Sequence, residues 1–184
     1  MRVPANLAYI VMGFAVVLML GVAAASANNI ERFVGTYTGS AVMKTVEGET
    51  QPRNLSVKIA MTKRGFSVDW TTIIYRSDGR EKEKSYSVNF VPSDRDDVFA
   101  AAMKKNIFGH EVPLDPMKGE PYVWARLAGD TLTVYSLFVD DMGDYEMQQF
   151  DRSLVERGLQ LEFTRFRNGD KQRTVSALLE RQWP

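Results

Sequence analysis

Through most of the chain after residue 32, apolar residues fall at every second position, and short clusters of Gly, Asp, Asn and Pro separate the runs. Period-two alternation places side chains on opposite faces of a strand, so it predicts half-buried β-structure rather than amphipathic helix. A first strand is expected over 32–44. After a loop over 48–54, Leu55, Val57, Ile59 and Met61 alternate with polar neighbours. A turn over 62–65 leads to a strand at 66–70, a second turn lies at 76–80, and Tyr86, Val88 and Phe90 mark a fourth strand. The one predicted helix covers 98–105, with Asp96 or Asp97 as cap and Lys104 and Lys105 at its C-terminal end. Pro113, Pro116, Gly119 and Pro121 then break any regular element, so 108–121 reads as a long crossing loop.

Further strands follow at 122–127, 131–139, 145–154, 159–167 and 171–181. Their connections are hairpin-sized, which makes neighbours antiparallel, since a parallel crossover needs a dozen residues or more. The expected fold is all-β: an up-and-down antiparallel meander of about nine strands with one short helix. Closing such a meander into a barrel removes its two exposed edges.

Hairpin spacing also fixes which residues face inward, because opposed residues across an antiparallel pair share a face. The turns predict the pairs Met61–Phe66, Ile59–Val68 and Val57–Trp70, then Trp70–Tyr86, Val68–Val88 and Phe66–Phe90. In the second half they predict Leu127–Leu132, Ala125–Val134, Val134–Phe150, Ser136–Gln148 and Phe150–Phe163. The same face extends to Leu154, Leu159, Leu161 and Leu178, and to Glu146, Gln148, Arg152, Arg165 and Gln172. A β-bulge within 145–154 would instead turn Tyr145, Met147 and Gln149 inward.

The 184 residues suit one domain, and 23 basic against 23 acidic side chains leave no positive excess for a nucleic-acid backbone. Without cysteine there is no disulfide, thiol nucleophile, thiolate metal site or lipid-modified cysteine. Residues 1–27 read as a secretory signal peptide: Arg2 is the only charge, an apolar run follows, and Ala25-Ser26-Ala27 offers a small-residue cleavage site. An uncleaved anchor is the rival, but no Lys/Arg cluster follows the run. The mature chain, 28–184, is expected as one barrel domain in a bacterial periplasm or outside the cell. It would have no stable membrane insertion once the signal is cleaved.

Gly35-Thr36-Tyr37 on the first strand and Arg181 near the end of the last, with the hairpin meander between them, resemble the calycin group of barrels, which includes lipocalins and fatty-acid-binding proteins. In lipocalins the first-strand motif carries Trp, and the final Arg packs across it to close the base. The resemblance implies that Arg181 packs on Tyr37 here, and that the interior binds a small molecule.

No reaction centre is legible. His110 is the single histidine; as a haem ligand it would follow only from the wider calycin relationship, and a solvated loop residue is the simpler reading. Asp140, Asp141 and Asp144 with Gly143 do not match a calcium-loop spacing. No Gly-x-Ser-x-Gly elbow supports a triad. No metal and no cofactor is expected, and an enzyme needing only a shaped cavity ranks third among the readings. Residues 80–84 alternate in charge as a solvated strand start does. Trp124, Arg126 and Tyr135 fall on the outer face, either as a protein-partner site or as a platform covered by a loop. The expected function is binding of a small amphiphilic or lipid-like molecule inside the barrel. Val57, Ile59, Val68, Trp70 and Val88 would hold its tail, Arg152 or Arg165 with Gln148 would meet a polar or anionic head, and Ser136 and Phe163 complete the candidate ligand-binding residues. The alternative is an envelope protein–protein interaction module with a filled barrel.

Overall fold

The structure is a computed structural model that describes residues 29–44, 50–102, 104–105, 111–112 and 114–183. The chain divides into Met1–Arg32 and Phe33–Pro184. Of the first unit the described part is a helical turn at 29–31. The second is the barrel.

The barrel strands are β1 (Gly35–Lys44), β2 (Thr50–Met61), β3 (Phe66–Tyr75), β4 (Glu81–Pro92), β5 (Val98–Ala101), β8 (Tyr122–Ala128), β9 (Thr131–Val139), β10 (Tyr145–Val155), β11 (Gly158–Arg167) and β12 (Asp170–Gln182). Two short strands, β6 (Lys104–Lys105) and β7 (Glu111–Val112), pair with each other outside it. Around the ring the order is β1-β12-β11-β10-β9-β8-β5-β4-β3-β2, every neighbour antiparallel, with β2 returning to β1. This is a closed up-and-down antiparallel barrel, with ten strands among the described residues.

The segment predicted as a helix supplies the extra strand. Residues Phe99 and Ala101 are buried while Val98 and Ala100 are partly exposed, a period of two despite the Ala-rich composition. Here β5 bridges β4 and β8, and that pairing outweighs alanine's helix propensity. Asp97 is no cap: its φ is 57°, left-handed rather than extended, and its carbonyl accepts from the Leu127 N–H at 2.8 Å. The expected loop over 108–121 contains β7 and a 3-10 turn at Pro116–Lys118, held by the Asp115 side chain.

Because β5 pairs only with Phe90, Val91 and Pro92, the upper part of β4 has a strand partner on one side alone among the described residues. That edge carries Lys82, Glu83 and Lys84, the kind of charged margin that discourages edge-to-edge association.

Registers predicted from the first two hairpins and from residues 125–163 are all observed. No register shift interrupts β10, so Gln148, Phe150 and Arg152 share the inner face while Tyr145, Met147 and Gln149 point outward. Leu178 and Gln172 do not face inward as expected. The Asn168-Gly169 turn, both residues at positive φ, sets Arg167 opposite Asp170, but a shift between Arg165 and Phe166 then places Arg165 opposite Arg173. One extra residue in β12 therefore brings Arg173, Val175, Ala177 and Leu179 inside and sends Leu178 to the surface.

Candidate functional site

The two ends of the bore differ. At the end where β1 starts and β12 finishes, Tyr37 is fully buried and its hydroxyl donates to the Phe33 carbonyl at 2.8 Å. The Arg181 guanidinium donates to the Tyr37 hydroxyl at 2.6 Å and to the Val34 carbonyl at 3.0 Å, with its carbon 5.1 Å from the ring centroid. The packing of a terminal arginine across a first-strand aromatic, implied by the resemblance, is thus present with Tyr in place of Trp. Burial raises the Tyr37 phenol's pKa, and the Arg181 charge opposes that rise.

Above this base the bore is solid. Phe66 stacks on Phe90 at 5.1 Å and meets Phe99 edge-on at 5.0 Å, and Ile59, Val68, Leu132, Val134, Leu159 and Leu179 are all but inaccessible. Ile59, Val68 and Val88, expected to hold a ligand tail, belong to this packed core and do not line the cavity.

The filled region ends at a plug of three side chains. Trp70 on β3 and Phe150 on β10 lie on opposite sides of the ring, yet their centroids are 5.7 Å apart, so they meet across the bore. Arg152, 1% exposed, packs against both, its guanidinium carbon 5.7 Å from the Trp70 ring and 5.5 Å from the Phe150 ring. Burial pushes the Arg152 pKa down to about 10, only partly offset by the neighbouring Asp151 charge. Its one hydrogen bond among the described residues is long, 3.5 Å to the Phe150 carbonyl, and its Nε has no acceptor. Such a group calls for an anion, since a buried charge is costly without a partner.

Beyond the plug lies a cavity of about 210 Å³. Trp70, Tyr86, Phe150 and Phe163 form its aromatic wall; Trp70 stacks on Tyr86 at 5.2 Å, and Phe150 meets Phe163 at a tilt, 4.8 Å between centroids. Its charged lining is Arg53, Arg152, Arg165, Arg173 and Lys84, and none of the described residues that line it carries a carboxylate. Glu146, just outside, is ion-paired with Arg165 and accepts from the Gln148 side-chain amide at 2.7 Å. The Nε atoms of Arg53 and Arg165 are buried without acceptors, as is that of Arg152. Burial lowers the Arg53 pKa, and the nearby positive charge of Arg173 lowers it further.

Of the residues predicted from sequence, Trp70, Gln148, Arg152, Phe163 and Arg165 come together around this cavity. Ser136 lies opposite Gln148 on the same face but outside the lining. Sequence reasoning missed Arg53 and Arg173. The alternation of β2, extended upward from Val57 through Leu55, reaches Arg53, which lies in a strand and not in the loop expected over 48–54. Arg173 was hidden by the bulge.

Other sequence candidates resolve into structure. Asp140 and Asp144 both bind the Arg167 guanidinium, at 3.2 and 2.9 Å, and Asp144 also accepts from Asn168, so hydrogen bonds from these two residues hold its carboxyl below the usual range. Trp124 stacks on Tyr135 at 4.8 Å and touches Tyr122 on the outer face; all three are half-buried, and the 3-10 turn contacts β9, the strand that carries Tyr135. That arrangement fits a covered platform. His110 and the signal segment lie outside the described residues.

Fold and site define a closed up-and-down β-barrel with a sealed base and a cationic, aromatic-walled cavity in its upper half. No family model matches the chain, and no curated protein matches its sequence. Among solved structures, an S-type phycobiliprotein lyase from Guillardia theta aligns over 84% of this chain and 91% of its own, at 9% identity and a TM-score of 0.34.

Proposed function

We propose that this barrel binds a small amphiphilic anion, its apolar part against Trp70, Phe150 and Phe163 and its acidic group on Arg152. The observation that carries this reading is the buried, underbonded guanidinium of Arg152 at the floor of a cavity whose described lining holds four arginines and no carboxylate. Arginine's fork of donors suits carboxylate and phosphate oxygens, and an aromatic wall suits a short hydrocarbon. At about 210 Å³ the space falls below that of drug-sized pockets, roughly 300–1,000 Å³, so the ligand is small. Calorimetric titration of the purified mature protein with decanoate and with 1-decanol tests the reading. Decanoate should bind at least ~10-fold more tightly, the worth of a charged hydrogen bond. Equal binding, or none, would count against it.

We also propose that the chain acts in the periplasm or outside the cell after cleavage following Ala27, as the Ala25-Ser26-Ala27 site supports. N-terminal sequencing of the exported protein should then begin at Asn28. Full-length product retained in membranes would argue for an anchor instead.

A further inference from the structure

The arginines of the cavity stand at two levels. Arg152 lies opposite Leu161 of β11, while Arg173 lies opposite Arg165, so the two levels are separated by four residues of strand, about 13 Å. At the lower level Arg152 is alone. At the upper level Arg165 and Arg173 are direct cross-strand partners, an unfavourable pairing for like charges, and Arg53 is near enough for Arg173 to depress its basicity. Glu146 answers one of these three, Arg165. Among the described residues no carboxylate pairs with Arg53 or Arg173; the Arg53 side chain donates only to the Gln51 amide oxygen, at 2.9 Å. Between the levels the wall is largely apolar, with Phe150, Phe163, Val57 and Val175, and Lys84, opposite Thr72, is the one cation of the described lining there.

We infer that the ligand carries two acidic groups joined by a short apolar spacer, one seated on Arg152 and the second between Arg53 and Arg173. The inference rests on the reading of this cavity as an anion site and specifies what kind of anion fills it. A ligand with a single head group would answer one level and leave the other uncompensated. A diacid answers both, and the apolar stretch between them matches its spacer. The volume of about 210 Å³ keeps that spacer short.

The test compares α,ω-diacids with monoacids of equal length, adipate with hexanoate, suberate with octanoate and sebacate with decanoate, by calorimetry on the wild-type protein and on Arg53→Met/Arg173→Met. In the wild type, the best-fitting diacid should bind at least ~10-fold more tightly than its monoacid. In the double variant that advantage should vanish, the diacid binding no more tightly than its monoacid on the same variant. Relief of the like-charge pair should keep the variant folded, which its thermal transition checks, and the wild-type length series does not depend on the variant. Monoacid binding with no gain from any diacid would overturn the two-level inference and leave the anion-site reading standing. Binding of neither class would overturn both. A diacid advantage that survives the double substitution would also overturn the seat between Arg53 and Arg173.

Discussion

Arg152→Met should separate binding from stability: decanoate affinity should fall about 10–100-fold, and the ligand-free protein should melt no lower than wild type. The loss of affinity follows from removing the one cation at the cavity floor. The stability result follows from what Arg152 lacks. Its pKa of about 10 corresponds to a cost on the order of 3 kcal/mol for holding the charged form in the barrel at neutral pH. The sign is that of a base depressed by burial: the cost is present in full below the folded pKa and fades only as pH rises above it. Methionine keeps the bulk against Trp70 and Phe150, forfeits their cation–π attraction of about 2 kcal/mol, and removes the desolvation cost. Had a carboxylate been paired with Arg152, its removal would cost roughly 3–5 kcal/mol. Glu146 pairs with Arg165 instead. Denaturant unfolding and calorimetry on the same preparation read both quantities.

Phe66→Ala should be among the most damaging single changes in the barrel, with a loss of about 3–5 kcal/mol and a fall in Tm of roughly 6–20 °C. Phe66 is fully buried, between Phe90 and Phe99 and below the Trp70 plug, so truncation opens a void that the closed strands cannot collapse around. The fraction that remains folded should bind decanoate as wild type does, because the plug separates this core from the cavity. Unfolding monitored by circular dichroism, with binding measured well below the transition, gives both results. Mild destabilisation with lost binding would place the ligand deeper in the bore.

The contrast between these two residues shows what the sequence conveyed. Period-two alternation and tight turns were enough to pair Phe66 with Phe90 and Phe150 with Phe163, since hairpin register is a local property of loop length. The calycin resemblance, resting on Gly35, Tyr37 and Arg181, correctly placed an arginine across the base. Two kinds of information were missing. The strand β5 contradicts its own Ala-rich composition and exists because β4 and β8 need a bridge, which is a property of ring closure rather than of residues 98–101. The bulge opposite Arg165 adds one residue to β12 with no sequence mark, and it exchanged Gln172 for Arg173 on the inner face. How far the bore is filled was not legible either: that Trp70 and Phe150 meet across the ring depends on its circumference and tilt. The apolar residues below them therefore read as a ligand's tail pocket when they are the protein's own core.

The most direct measurement is a nuclear magnetic resonance titration of nitrogen-15-labelled protein with decanoate, following arginine Nε–H and tryptophan indole N–H signals. The Arg152 and Trp70 resonances should shift together and saturate at one ligand per barrel, while Arg157 and Arg181 at the sealed base stay in place. Stationary Arg152 and Trp70 signals, with movement only at Trp124 on the outer face or uniformly across all arginines, would contradict an anion site inside this barrel.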